Sequence, residues 1–346
     1  MLQKQRIGYI DAIRGFTMLL VVFSHIETFC YHINFDQSIL SSLFITFRMP
    51  MFFFISGYIA YKKETWDFNT YKKKLTRKAL IQIIPTLVFF HLYFTICHDA
   101  PINYFITEGP LGFWFTIVLF EMYFIYYSIL LLCRNNDKVN NTILIIIAIL
   151  GQLIYIGGIG HYYDLGKYPL LSLINLSRYI SYFILGHFCR KYSSIFQRLI
   201  SNDKIKTILI ISFITLFILE WKKYLLPDFS ILHVINYEIF IRWIGLLMVF
   251  AIFYHYRTTF DQDSIISKPI RFIGRHTLDI YLLHYFLLPE LSFMKEWLIN
   301  NQNIAGKLVI TLLFSLIIIA ICLLISYIIR SSQFLGHTLW GAKYKI

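Results

Sequence analysis

The stretch YIDAIRGFTMLLVVFSH (residues 9–25) decides the fold of this chain. It is almost wholly apolar, yet it carries Asp11, Arg14 and a terminal His25. A charged side chain at the centre of a bilayer costs about 2.5–3.5 kcal/mol on insertion scales, so such residues usually face a protein interior. The stretch therefore predicts a membrane-spanning helix that presents a polar stripe to neighbouring helices.

The composition of the whole chain favours a membrane protein. Of 346 residues, 58% are hydrophobic and 15% are charged, whereas a soluble domain is about half apolar and a quarter charged. We predict an all-α polytopic protein with about ten transmembrane helices around a central cavity, forming a single transmembrane domain over 1–346 with no soluble domain. Each predicted span is close to the ~20 residues that cross a bilayer: 9–32, 43–61, 79–97, 112–133, 142–160, 173–189, 206–224, 235–256, 276–294 and 306–330.

The distribution of the net charge of +13 indicates how the chain is oriented in the membrane. If the N-terminus lies inside, the inner segments hold 23 of the 32 Lys and Arg residues, and the outer segments hold only Lys167, Lys222, Lys223 and Lys295. Cytoplasmic loops carry such an excess of positive charge. We therefore predict that both termini are cytoplasmic, and we expect no nucleic-acid partner.

The spacing of Arg14 and His25 suggests an elongated ligand. Eleven residues make three helical turns, so the two side chains share one face about 16.5 Å apart, and Asp11 lies three residues before Arg14 on the same face. An acyl-coenzyme A has a matching shape, because arginine binds phosphates and histidine accepts a proton from a hydroxyl near neutral pH. Spacing alone equally allows a structural Asp11–Arg14 pair with His25 as an interhelical hydrogen-bonding residue.

Other polar residues in the apolar runs are weaker candidates. Glu121, near mid-depth, either orients His25, binds a sugar hydroxyl or pairs with an arginine. Arg48 is a candidate donor to an oxyanion, and Trp114 either stacks on a sugar or nucleotide ring or lies at the interface. Lys73 and Arg77, in the basic segment 62–79, either attract donor phosphates or simply anchor the chain.

The remaining residues are interpreted more simply. Glu238 and Arg242, four residues apart, predict an intrahelical pair, and Asp279 is placed to pair with His276. The five cysteines show no paired metal-ligand spacing, so no metal site is predicted. Cys30 and Cys97 leave a disulfide open, since both lie near the outer ends of their spans.

The first-span stretch resembles the signature of the integral-membrane acyltransferase family 3, in which an Arg or Lys and a His are separated by ten residues. Arg14 and His25 match that pattern, and Asp11 and Gly15 match its D-x-x-R-G lead-in. Further resemblances follow in order along the chain, in RMPMFFFISGY (48–58), FWFTIVLF (113–120), YFILGHFCRK (182–191) and IGRHTLDIYLLHYF (273–286). The second-span motif is similar to that of the fucose 4-O-acetylase and exopolysaccharide acyltransferase branch.

The resemblance implies transfer of an acyl group, usually acetyl, from cytoplasmic acyl-CoA to a hydroxyl of a surface polysaccharide or lipid-linked glycan. It implies a multi-pass protein of the bacterial inner membrane, with acetyl-CoA as co-substrate and no permanently bound cofactor. It also implies that His25 is catalytic, that Arg14 handles the donor and that His284, in the family's Y-L-x-H pattern, lines the active cavity. The chain departs from the pattern at Arg48, where many relatives have histidine, and no SGNH-type esterase domain is expected.

We therefore predict a membrane O-acyltransferase in which His25 activates the acceptor hydroxyl. Intramembrane His, Arg and Glu residues also mark transport pathways, so a transporter or flippase is the alternative, and an inactive scaffold for glycan assembly is a third. Direct transfer to the acceptor and passage through an acyl-histidine both remain open at this point.

Overall fold

The computed structural model describes residues 7–97, 111–133, 136–158, 172–221, 235–300 and 303–340. All regular structure in these ranges is helical, so the prediction of an all-α polytopic membrane protein is confirmed. The outer-loop residues Lys167, Lys222 and Lys223 lie outside the described ranges. The α-helices, numbered in chain order, are α1 Gly8–His25, α2 Ile39–Ala60, α3 Phe68–Lys78, α4 Ile84–Cys97, α5 Trp114–Leu132, α6 Asp137–Gly158, α7 Leu173–Lys191, α8 Ser193–Ile200, α9 Asp203–Trp221, α10 Arg242–His255, α11 Arg257–Asp261, α12 Ser267–Arg275, α13 Thr277–Leu283, α14 Lys295–Asn300, α15 Ile304–Ser331 and α16 Gln333–Trp340.

Seven helical stretches in the described part of the chain are long and apolar enough to cross a membrane. Their bounds are Gly8–Cys30, Ile39–Ala60, Phe68–Cys97, Trp114–Leu132, Asp137–Gly157, Asn236–His255 and Ile304–Ser331. The predicted spans at 173–189 and 206–224 correspond to α7 and α9, which are helical but do not meet that standard. The number of ten spans and the side of the termini stay predictions.

The prediction of a continuous span over 276–294 was wrong. The span at 276–294 is a broken helix: α12 and α13 are separated by a kink at His276, and a 3₁₀ turn, His284–Leu287, ends the helix. Leu288 is extended because the residue before a proline, here Pro289, disfavours helical backbone angles.

Most of the basic segment 62–79 forms helix α3. Asp67 begins α3 as its N-cap, where its side chain accepts a hydrogen bond of 2.8 Å from the Thr70 amide. Hydrogen bonds from Thr70 keep the pKa of the Asp67 carboxyl below its usual value. The helix then continues through a π-helical turn, Ala79–Ile83, into α4, so most of the segment belongs to a spanning helix.

The residues group into two compact units. Unit 1 comprises Met1–Ile55 and Tyr192–Leu324, and unit 2 comprises Ser56–Lys191 and Ile325–Ile346. A single domain over 1–346 stays a prediction.

Helix α1 is the centre of unit 1, and nearly all of its residues are buried. Gly15 and Gly274 bring α1 and α12 into backbone contact, because a Cβ on Gly15 would overlap the Ile270 carbonyl and one on Gly274 would overlap the Asp11 carbonyl. Only residues without a side chain permit such an approach. The crossing therefore determines which polar side chains of the two helices meet.

In unit 2, α5, α6 and α7 pack through small and aromatic residues. Gly57 lies against the Phe183 carbonyl and Gly151 against the Ser177 carbonyl, where a Cβ would be too close in each case. Tyr126 on α5 and His187 on α7 are joined by a hydrogen bond of 2.8 Å. These contacts connect α7 to the end of α2, to α6 and to α5.

Candidate active site

Two imidazoles meet at the end of α1. The Nδ1 atom of His25 lies 2.8 Å from Nε2 of His284, and the two rings are stacked with centroids 5.0 Å apart. His284 is fully buried, whereas His25 is partly exposed. The structure thus brings together two residues that lie 259 positions apart in the chain.

The hydrogen bonds assign the position of the protons on this pair. Nδ1 of His284 lies 2.9 Å from the Ile280 carbonyl, and a carbonyl oxygen only accepts, so this nitrogen carries a proton. Neutral His284 then has its lone pair on Nε2 and accepts the proton of His25 Nδ1. The lone pair of His25 therefore lies on Nε2, which is the arrangement a general base requires.

Aromatic side chains surround the His25 ring. Phe29 packs against it edge-on with centroids 5.4 Å apart, and Tyr285 packs at 5.2 Å. Phe29 is half-exposed, so this wall is partly open. The two ring contacts restrict rotation of the imidazole.

At the other end of α1, Arg14 donates a hydrogen bond of 2.7 Å to the Thr277 hydroxyl. Asp11 pairs instead with Arg275, with Nε and Oδ2 3.3 Å apart. The alternative in which Asp11 and Arg14 simply pair along one helix is therefore not the arrangement found. The glycine crossing of α1 and α12 explains the difference, because it places Arg275 and Thr277 beside the first helix.

Arg48 on α2 is buried and lies in unit 1, as His25 and His284 do. Its Nη1 is 3.5 Å from the carbonyl oxygens of Leu20 and Val21. Its charge is near enough to interact electrostatically with both imidazoles. A guanidinium in this position is a candidate to stabilise negative charge that develops beside His25.

The sequence marks Glu27 as a charged residue of the first span but predicts no partner for it. Glu27, on the π-helical turn Ile26–Cys30, accepts hydrogen bonds from Ser38, at 2.7 Å, and from Ser41. Both serines precede or begin α2, so Glu27 ties the end of the first span to the start of the second.

A polar contact also forms beyond the two imidazoles. Nε2 of His32 lies 2.9 Å from Glu290, and the Leu291 amide donates to the Cys30 carbonyl at 2.9 Å. His32 has a positive φ of 52°, which is uncommon for a residue other than glycine. No sequence pattern marked this contact, since it joins segments more than 250 positions apart.

Arg275 and Thr277 were also missed, although a signal existed. Both flank His276 inside the quoted motif IGRHTLDIYLLHYF, so taking every residue of the motif as a candidate would have included them.

The two predicted structural pairs are confirmed: Glu238 and Arg242 lie 3.2 Å apart, and His276 and Asp279 lie 3.1 Å apart. All five cysteines are free, so the Cys30–Cys97 disulfide is not formed.

Four predicted site residues belong to unit 2. Glu121, on α5, has a buried Oε2 without a hydrogen-bond partner among the described residues. Trp114 stacks on Tyr179 with ring centroids 5.7 Å apart. Lys73 and Arg77 are exposed on α3. A role for any of these four beside His25 stays a prediction.

The fold and the site define a class: a multi-pass membrane protein whose first helix carries an arginine near one end and, at the other, a histidine oriented by a second histidine. A family model described as an acyltransferase domain matches residues 7–331. The chain belongs to the integral-membrane acyltransferase family 3 and is a membrane acyltransferase. No curated protein and no solved structure was found to match it.

Proposed function

We propose that this protein is an acyl-CoA-dependent O-acetyltransferase of the bacterial inner membrane. Its acceptor is a hydroxyl of a cell-envelope carbohydrate, either a polysaccharide or a lipid-linked glycan. The observation that carries the proposal is the hydrogen-bonded His25–His284 pair, which leaves Nε2 of His25 as a base. Family membership favours acyl transfer over transport or an inactive scaffold.

The proposed reaction is a direct transfer. The acceptor hydroxyl gives its proton to Nε2 of His25 while its oxygen attacks the thioester carbonyl carbon. His284 accepts the hydrogen bond of His25 Nδ1 and so stabilises the imidazolium that forms, as the orienting residue of a catalytic triad does. Collapse of the tetrahedral intermediate breaks the C–S bond, and the imidazolium returns the proton to the leaving thiolate, which departs as free coenzyme A.

Two arginines have distinct parts in this proposal. Arg48 is buried near both imidazoles. Its positive charge stabilises the oxyanion of the tetrahedral intermediate. Arg14, held by Thr277 at the far end of α1, binds a phosphate of the donor, for which its planar group offers two parallel donors. The similarity of the second-span motif to exopolysaccharide acyltransferases supports a sugar acceptor.

Two measurements test the proposal. Purified protein in nanodiscs, supplied with acetyl-CoA and an envelope glycan, should release free coenzyme A and acetylated glycan in equal amounts. Mass spectrometry of envelope polysaccharide should show a difference of one acyl group between cells with and without the protein. Glycan movement across the membrane without thioester turnover would contradict the proposal and indicate a transporter.

Replacing Thr277 by valine tests the donor role of Arg14. The variant removes the 2.7 Å hydrogen bond to the guanidinium, and a hydrogen bond to a charged group contributes about 1.5–3 kcal/mol. We expect the KM for acetyl-CoA to rise at least about tenfold, with kcat little changed, in steady-state assays. Thr207→Val is the matched control, because that exposed hydroxyl bonds only to its own helix, at Asp203. An unchanged donor KM would argue against this role.

Replacing His284 tests the orientation of the base. His284→Ala should lower kcat by about 10²-fold or more, because it removes the acceptor of the His25 Nδ1 proton and with it the preferred tautomer. His284→Gln keeps a carbonyl oxygen near that nitrogen and should restore part of the rate. A positioning role predicts this partial rescue in kcat, measured by thioester turnover. Equal activity of both variants, near that of the unmodified protein, would contradict it.

A further inference from the structure

Glu27 is a buried carboxylate to which the proposed reaction gives no part. It lies two residues after His25, on the π-helical turn Ile26–Cys30, and it is only 4% exposed. Burying such a group is costly unless it is paired or hydrogen-bonded, and single π-helical turns are frequent at functional sites. A carboxylate kept in this position, beside the proposed base, therefore needs an explanation.

The contacts of Glu27 join the first span to the start of α2. Its Oε2 accepts hydrogen bonds from the hydroxyl of Ser38, at 2.7 Å, and from that of Ser41. Ser38 directly precedes α2, and Ser41 is the third residue of that helix. Because two donors from the start of α2 converge on one oxygen of the first span, Glu27 fixes the two segments to each other at this point.

A second contact joins the same two segments at Arg48. Its Nη1 lies 3.5 Å from the Leu20 carbonyl on α1. Ser41 precedes Arg48 by seven residues, and Leu20 precedes Glu27 by seven residues, which is about two helical turns, or ~10.5 Å, in each case. The two contacts therefore belong to one antiparallel register, and His25 lies between them along the first span.

This register determines where the guanidinium of Arg48 lies relative to His25. The hydroxyl contact of Ser38 with Glu27 is short, at 2.7 Å, whereas the contact of Arg48 with the Leu20 carbonyl is long, at 3.5 Å. Donors to an oxyanion act at about 2.7–3.1 Å, and a displacement of about 1 Å can lower a rate by about 10²-fold. The contact at Glu27 is thus the one that can hold Arg48 to the accuracy that catalysis requires.

We propose that Glu27 is a positioning residue: through Ser38 and Ser41 it holds α2 in the register that places Arg48 beside His25. This inference rests on the proposed acyl transfer, because it assigns Glu27 to the same site. Glu27 makes no contact with the reacting atoms in this arrangement. What the site requires from it is an oxygen that accepts both hydroxyl protons, rather than its charge.

The variants Glu27→Leu and Glu27→Gln test the inference. Leucine removes the acceptor, so kcat per mole of folded protein should fall at least about tenfold. Glutamine keeps a carbonyl oxygen with two lone pairs and should restore kcat to within about threefold of the unmodified protein. The KM for acetyl-CoA should change by less than about twofold in both, because Thr277 holds Arg14 at the other end of α1. A merely structural role would lower the yield of folded protein and leave its kcat unchanged.

A double-mutant cycle with Arg48 tests whether Glu27 acts through the guanidinium. In a protein that already carries Arg48→Ala, adding Glu27→Leu should lower kcat by less than about twofold further, because the effects of residues that act as a unit are not additive. A further fall as large as that in the unmodified background would overturn the inference.

Matched controls come from unit 1. Ser41→Ala, a milder change than those at Glu27, should lower kcat at least about threefold, whereas Ser42→Ala, which removes a bond to the nearby Phe35 carbonyl, should leave it within about twofold. Glu220→Leu removes another carboxylate that joins two helical segments, through a 2.9 Å bond from Asn236, and it should also leave kcat within about twofold. Equal losses in the test and control variants would contradict a specific role.

A measurement without turnover separates failure of this inference from failure of the proposed function. The nitrogen NMR signals of the His25 ring respond to nearby charge and hydrogen bonds, so they should shift in Glu27→Leu and return toward their original positions in Glu27→Gln. Ring signals that do not shift in Glu27→Leu would overturn the inference, whatever the rates. Signals that shift as expected in a protein that turns over no thioester would support the register and contradict only the proposed function.

Discussion

Replacing His25 by alanine is expected to lower kcat for acyl transfer by about 10²–10⁴-fold, the usual contribution of a general base. The residue is the only member of the pair that is partly exposed, and the His284 contact leaves its Nε2 free of a proton. Removing the imidazole therefore removes both the base for the acceptor hydroxyl and the acid for the leaving thiolate. The measurement is release of coenzyme A by purified protein at saturating acetyl-CoA and acceptor.

The matched control is His255→Ala. His255 is exposed at the end of α10, where its ring lies 2.6 Å from Lys206, and we expect its replacement to change kcat by less than about twofold. Both variants should purify in similar yield, since neither substitution creates a backbone clash. If the His25 variant kept a rate within about tenfold of the unmodified protein, His25 would not be the base.

Gly274→Val is expected to prevent α1 from packing against α12. A Cβ at this position would overlap the Asp11 carbonyl and approach the Gly15 amide. Overpacking of a core typically costs about 1–3 kcal/mol and occasionally more. We expect a cost above this range for Gly274→Val, because the added Cβ would meet backbone atoms, which cannot move aside as a flexible side chain can. With only about 5–15 kcal/mol of net stability in a typical protein, we expect a marked fall in the yield of folded protein and in its thermal midpoint in detergent.

The control for this substitution is Gly157→Ala. A Cβ on Gly157, the penultimate residue of α6, meets nothing within 4 Å. The variant should therefore match the unmodified protein in size-exclusion profile and thermal midpoint. A Gly274→Val protein that was as stable as this control would mean that α1 and α12 do not cross as described.

The crossing also links stability to the site. It places Thr277 beside Arg14 and Arg275 beside Asp11, so even a partial shift of α12 separates both pairs. The smaller change Gly274→Ala should therefore raise the KM for the donor in whatever fraction of the protein still folds. This effect is distinct from that of His25→Ala, which acts on kcat.

Local patterns predicted much of the fold correctly. Long apolar runs predicted spanning helices, because the bilayer imposes a minimum length that is visible in the chain itself. The pairs Glu238–Arg242 and His276–Asp279 followed from helical periodicity, which places residues three or four positions apart on one face. The family was predicted from ordered motifs, and the match over residues 7–331 confirmed it.

Where local patterns were wrong, a competing interaction explains the outcome. A continuous span at 276–294 was expected from hydropathy, yet the proline at 289 ends the helix early. The Asp11–Arg14 pair was one of two options allowed by spacing, and a partner from another helix took each residue instead. Periodicity describes a helix in isolation and contains no information about which neighbour competes for its side chains.

The apolar character of the chain and the positions of His25 and Arg14 on one helical face were readable from residue order alone, because both depend on spacing within a few turns. The partner that orients His25 and the partner that holds Arg14 depend on packing between segments distant in the chain. Contacts of this kind form only when helix backbones approach closely, which at Gly15 and Gly274 required the absence of side chains on two different helices.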